Sequence, residues 1–142
     1  MTVVTVPANY KPTEKEEYMN PVMLEYFKMK LLAWRNEILK DADSTLQELQ
    51  DEGGLQEPDE ADRASIETKV ALEMRARDRQ RKLISKIDEA LRRVSDGDYG
   101  YCEETGEPIG IKRLEARPVA TLTIEAQERH ERRERTQVDE RE

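Results

Sequence analysis

From Leu24 the apolar side chains Phe27, Leu31, Trp34 and Ile38 follow at spacings of 3, 4, 3 and 4 residues. Apolar positions that alternate by three and four line one side of an α-helix, and a repeat averaging about 3.5 is the seam of a coiled coil. Ala42, Thr45 and Leu49 carry the seam on after one slip, so a helix of about 30 residues is predicted. Asn20 before Pro21 supplies an N-cap and a first-turn proline, and Gly53-Gly54 supplies the stop. A second helix is predicted to begin after Pro58, with its seam clear at Leu83, Ile87, Ala90 and Val94. In its middle, Met74 to Lys82 reads MRARDRQRK and apolar residues thin out, which marks a weaker seam or a functional surface. Two such helices joined by a short Gly/Pro turn form an antiparallel hairpin about 45 Å long at about 1.5 Å per residue.

The composition agrees with a rod. Ala, Glu, Lys, Leu and Arg make up 69 of 142 residues, close to the level of long helices and coiled coils. Leu, Ile, Val and Phe supply only 28 residues while 39% of the chain is charged, which leaves too little apolar material for a deep globular core. Seven aromatic residues are too few for a sandwich or barrel, and the length is too small for a large two-domain enzyme. No run of 18 apolar residues occurs, and MTVVTVPANY lacks the basic start of a signal peptide, so a cytoplasmic protein without a membrane span is expected. The single cysteine, Cys102, cannot form an internal disulfide, in keeping with a reducing compartment.

Charge is unevenly spread. Residues 41–67 hold ten carboxylates and one base, Arg63, a local charge of −9; residues 69–93 hold nine bases and four acids, a local charge of +5. The net charge of −8 argues against a protein that holds DNA by neutralising phosphates. In a hairpin the acidic run lies at the far end and the basic run along the returning helix, and the remaining residues gather at a base.

Residues 95–110 read SDGDYGYCEETGEPIG, rich in turn formers, and predict a compact knuckle. Cys102 with Thr105-Gly106 has the spacing of a zinc knuckle with a threonine in place of the second cysteine, and Thr123 and Ala126 repeat that spacing without sulfur. Structural zinc takes four ligands, usually Cys or His; one thiol and the distant His130 fall short. A knuckle closed by packing and turn hydrogen bonds is therefore expected, with Ile109, Ile111, Leu114, Leu122 and Ile124 as its core. After Ile124 the polar stretch EAQERHERRERTQVDERE predicts a terminal helix on which His130 is exposed and non-catalytic.

Asp59-Glu-Ala-Asp62 spells a helicase signature, but no GxxxxGK[ST] phosphate loop accompanies it and the chain is too short for a helicase core. Asp59 fits an N-cap and Asp62 a first-turn carboxylate matched to the helix dipole. Three residues apart, the two also share a face that suits a basic protein surface or a bound Mg²⁺.

Pro58-Asp59-Glu60-Ala61-Asp62-Arg63-Ala64 resembles the DxxDxA tip motif of the TraR/DksA family of transcription factors. Tyr99-Gly-Tyr-Cys102, followed by Gly110-Ile-Lys-Arg-Leu-Glu-Ala-Arg-Pro118, resembles their zinc-finger signature, and Glu17-Tyr-Met-Asn20 and Ala33-Trp-Arg-Asn36 also match. The resemblance runs from about residue 14 to 128. It implies a mainly α protein: a long antiparallel two-helix coiled-coil hairpin protruding from a small zinc-finger-like globular base, with a C-terminal helix. The corresponding divisions are an N-terminal segment at 1–20, the hairpin at 21–95 with its tip near 52–64, a degenerate knuckle at 96–126 and the terminal helix at 127–142.

By the same resemblance the chain is expected to enter the secondary channel of bacterial RNA polymerase and, with ppGpp, to modulate open complexes at ribosomal RNA and amino-acid biosynthesis promoters without reading DNA sequence. Asp59, Asp62 and Ala64 correspond to tip residues near the polymerase active centre, Arg79 to a polymerase-binding position, and Leu83, Lys86 and Arg117 to the ppGpp site formed with the polymerase. The metal positions appear as Cys102, Thr105, Thr123 and Ala126, as in zinc-independent variants, and Gln127 stands where a further ppGpp-contacting lysine is usual. A monomeric non-enzyme is expected. The alternative is a Gre-like factor whose tip carboxylates hold Mg²⁺ and stimulate transcript cleavage.

Overall fold

The structure, a computed structural model, describes residues 4–51 and 60–141. Four helices follow in order: α1 (Pro21–Asp51), α2 (Glu60–Asp96), α3 (Ile111–Ala116) and α4 (Ile124–Arg141). Among the described residues the one extended pairing is an isolated antiparallel bridge between Tyr101 and Pro108. The fold is mainly helical, as the periodicity predicts. The chain divides into two compact units, one of Met1–Leu31 with Glu89–Glu142 and the other of Leu32–Asp88, and α1 and α2 each contribute to both.

In the Leu32–Asp88 unit, α1 and α2 run antiparallel: Arg35 Nε, early in one helix's share, donates to Asp88 Oδ1, at the end of the other's, at 2.8 Å. Ile38 and Ile87 are buried, whereas Glu73, Ala76, Arg77 and Gln80 on α2 are only half-buried. The polar Glu73, Arg77 and Gln80 cannot close a dry seam and Ala76 adds only a methyl, which matches the thinning seen in MRARDRQRK.

The other unit holds most of the core. Asn20 caps α1: its Oδ1 accepts from Met23 N at 3.0 Å and its carbonyl from Leu24 N at 3.0 Å, with Pro21 at the first helical position. Met23, Phe27 and Leu31 are fully buried, and Leu24, read above as the start of the seam, is half-buried. The Phe27 ring packs on Tyr99 at 5.7 Å between centroids. α2 ends in a left-handed glycine, Gly97 (φ 83°), with Asp98 N donating to Arg93 O at 2.9 Å and Gly97 N to Val94 O at 3.3 Å, the paired bonds of a Schellman stop.

Three differences from the sequence reading concern the knuckle. Residues 111–116 form a short helix, α3, inside what reads as turns and short apolar pieces. α4 begins at Ile124 and so takes in three residues, 124–126, assigned above to the knuckle. Ile109 and Leu114 are buried as expected, but Ile124, also expected in the core, is 54% exposed, and Ile111 and Leu122 are half-buried; Tyr99, Cys102, Val119, Ala120 and Ala126 complete the interior. Helical phase explains the last: once α4 starts at residue 124, Thr123 and Ala126 face inward and Ile124 faces out.

Candidate functional site

The basic run of α2 resolves into a face. Leu72, Arg75, Arg79, Lys82 and Lys86 recur at three- and four-residue intervals and are all exposed, while Leu83 is half-buried on the side toward the seam. Leu72, Arg75, Asp78, Arg79 and Lys82 line a shallow hollow of about 480 Å³. Other bases are engaged: Arg35 with Asp88, Arg81 with Asp78 at 3.9 Å, Arg92 with Glu89 and Asp96. Among the described residues Arg75, Arg79, Lys82 and Lys86 have no ion-pair partner. Arg75, Lys82 and Leu72 were not singled out from the sequence, although their spacing from Arg79 by −4, +3 and −7 carries the signal.

At the start of α2, Asp59 lies outside the described residues, and Asp62 belongs to the first helical turn, where only the backbone is described. Ala64 is exposed, and its carbonyl accepts from Thr68 Oγ1 at 3.1 Å. The N-cap assignment of Asp59 therefore also lies outside the described residues.

In the other unit, exposed Arg117 follows α3, and its N–H donates to Arg113 O at 2.7 Å. Gln127 is half-buried, its Nε2 donating to Glu131 Oε1 at 3.2 Å. His130 is exposed and lies 3.5 Å from the Glu134 carboxylate. Buried Arg93 donates to the carbonyls of Asp98 (3.1 Å) and Tyr101 (2.7 Å) and pins the first loop of the knuckle. Tyr18 braces the same loop: its hydroxyl donates to Gly100 O at 2.7 Å and accepts from Gly110 N at 3.0 Å. Gly100 (φ 91°) passes so close to Met19 that a Cβ there would meet the Met19 side chain at 2.9 Å.

Cys102, Thr105, Thr123 and Ala126 come together around the Cys102 sulfur and the start of α4. Thr123 N donates to Cys102 Sγ at 3.5 Å, and Ala126 N to Thr123 Oγ1 at 3.2 Å. Burial raises the thiol pKa, but hydrogen bonds from the Thr105 hydroxyl and the Thr123, Thr105 and Glu104 N–H groups outweigh it and bring the value down to about 7. Among the described residues no group of three or more His, Cys, Asp or Glu could hold a metal. One thiol, two neutral hydroxyls and a methyl do not fit zinc, which takes thiolates, imidazoles or carboxylates.

Comparison with known proteins bears on both regions. A family model for the N-terminal domain of DnaK suppressor protein DksA matches residues 23–94, and one for the prokaryotic dksA/traR C4-type zinc finger matches residues 97–132. The chain is similar to a protein of Caulobacter vibrioides called RNA polymerase-binding transcription factor DksA, with 64% identity over 97% of this chain and 96% of that one. It is similar to the protein of the same name from Escherichia coli K12, with 48% identity over 89% of this chain and 83% of that one. Among solved structures, the transcription factor DksA2 of Pseudomonas aeruginosa aligns with a TM-score of 0.75 and 47% identity, covering 83% of this chain and 90% of that one.

Proposed function

The chain belongs to the DksA family, and from that premise we propose that it binds bacterial RNA polymerase through the secondary channel and regulates transcription initiation. With ppGpp it alters open-complex stability at ribosomal RNA and amino-acid biosynthesis promoters without reading DNA sequence. One observation carries the binding half of this reading: on a chain of net charge −8, α2 exposes Arg75, Arg79, Lys82 and Lys86 on one face with no ion-pair partner among the described residues. Bases that are free at the outset can meet an acidic protein surface without first breaking internal pairs, which favours fast, oriented association.

The tip carboxylates Asp59 and Asp62, with Ala64, act near the polymerase active centre. Leu83, Lys86 and Arg117 supply this chain's side of the ppGpp site, where Lys and Arg suit a polyanionic nucleotide and Arg grips phosphate through two bonds. Gln127 brings no positive charge and its amide is held by Glu131, so the ppGpp response is weaker than with a lysine at that position. The chain works as a monomer in the cytoplasm, holds no zinc and has no catalysis of its own. No helix among the described residues is long and apolar enough to cross a membrane. The Gre-like cleavage reading is not favoured, because the relatives are DksA proteins.

The test is transcription in vitro from one ribosomal RNA promoter and one amino-acid biosynthesis promoter, with and without ppGpp, paired with a polymerase-binding assay. Asp62→Asn, which removes charge and keeps shape, is expected to lower regulation and leave binding intact. Arg79→Ala is expected to weaken binding about tenfold, as removal of an interface arginine does. Full regulation by Asp62→Asn would sink the tip assignment, and unchanged binding by Arg79→Ala would sink the assignment of the α2 face.

A further inference from the structure

The match to a C4-type zinc finger and the presence of one cysteine in the whole chain pose a physical question: what closes the knuckle? In a four-cysteine knuckle the metal clamps an irregular loop to the start of the following helix, a job that short apolar segments do poorly by packing alone. Here the loop after Cys102 closes on itself, with Gly106 N donating to Cys102 O at 2.9 Å and Cys102 N to Glu107 O at 2.8 Å. Glu103 N then crosses to Thr121 O at 2.9 Å and ties that loop to the approach to α4.

Each non-cysteine position contributes a contact that needs no metal. Thr123 is the N-cap of α4: its carbonyl accepts from Gln127 N at 2.9 Å and its hydroxyl from Ala126 N at 3.2 Å, while its own N–H points to the Cys102 sulfur at 3.5 Å. Thr105 holds its turn by accepting from Glu107 N at 3.3 Å, and its hydroxyl is among the groups whose hydrogen bonding lowers the Cys102 thiol pKa. Ala126 is fully buried and fills with a methyl the space a fourth ligand would need. No buried side-chain polar atom among the described residues is left without a hydrogen bond. A cation entering this site would exchange its water for neutral hydroxyls and a methyl, with one thiolate to compensate.

We propose that Thr105, Cys102, Thr123 and Ala126 form a hydrogen-bonded clasp that does the mechanical work of a zinc ion, with Thr123 as its central member. The inference rests on the reading that the chain holds no zinc and adds what takes the metal's place. The knuckle then folds irrespective of zinc supply, and its stability depends on the capping chemistry of residue 123.

Metal analysis of the purified full chain, thermal unfolding with and without a strong zinc chelator, and amide hydrogen exchange test both layers separately. Less than about one zinc per ten chains and a transition that the chelator moves by under about 1 °C are expected. Thr123→Val, equal in shape but without the hydroxyl, should lower the transition by about 3–8 °C and speed exchange at the Ala126 amide at least about tenfold, whereas Thr123→Ser should preserve both. Stoichiometric zinc whose removal unfolds the knuckle overturns the metal-free reading. Absence of zinc together with wild-type behaviour of Thr123→Val overturns the clasp alone. If Thr123→Val does not fold, Thr105→Val, at an exposed position, decides: a drop of about 1–3 °C supports the clasp and no change removes it.

Discussion

Tyr99 buries its ring against Phe27 and still satisfies its hydroxyl, which donates to Pro118 O at 2.8 Å, so one side chain joins α1 to the segment beyond α3. Burial pushes its phenol pKa upward, aided by the neighbouring Tyr18 and Glu115. Burial and the Glu115 carboxylate push Tyr26 up to about 12. Folded phenols that hold their protons above the unfolded value of about 10 contribute stability that is complete below pH 10 and lost as pH rises toward the folded value. Cys102 has the opposite sign. Its thiol is lowered to about 7, so its contribution is complete above the unfolded value of about 8.5 and lost as pH falls through 7. A urea midpoint measured from pH 6 to 12 should therefore rise through 7–8.5 and fall beyond 10. Cys102→Ala should flatten the first limb and Tyr26→Phe should reduce the second. A midpoint indifferent to both substitutions would contradict the assigned environments.

The elements differ in how openly the sequence declares them. α1 announces its start and the first part of its buried stripe, because Asn20-Pro21 and the 3-4 repeat are local signals. Phe27, Leu31 and Ile38 are buried, Trp34 and Ala42 are half-buried, Met23 buries more deeply than Leu24, and the side chains of Thr45 and Leu49 lie outside the described ones. Asn20→Ala removes the acceptor for Met23 N and should cost about 1 kcal/mol, read as a lower urea midpoint, with Asn20→Asp losing much less. α3 and the true start of α4 were not legible. IKRLEA is too short for a periodic signature, and the cap of α4 is a threonine that the sequence also offers as a relic of a metal ligand. For the same reason Ile124 was misplaced: one residue of helical phase decides whether it faces the core or water.

Across the whole molecule, the acidic excess of residues 41–67 and the basic excess of residues 69–93 give each region its own sign. Attraction between the α2 face and an acidic protein surface is screened by salt, and the same chain repels nucleic acid through its net charge of −8. Polymerase affinity is accordingly expected to fall about tenfold or more between 50 and 300 mM salt, with no duplex binding at any salt in that range. Salt-independent polymerase binding, or retention on DNA at 50 mM, would contradict this account.

The sequence by itself determined the helical class, the two long helices, the place of the charge reversal and the shortage of zinc ligands, since periodicity, capping residues, charge and donor chemistry are properties of nearby residues. Tertiary structure alone decided which bases of α2 remain unpaired and exposed, and that Arg93 turns inward to pin the knuckle. It also decided that Thr123 serves α4 and the Cys102 sulfur at once. Those outcomes depend on groups far apart in sequence, such as Arg35 with Asp88 and Thr123 with Cys102. Their energies appear only after the chain has brought them within hydrogen-bonding distance.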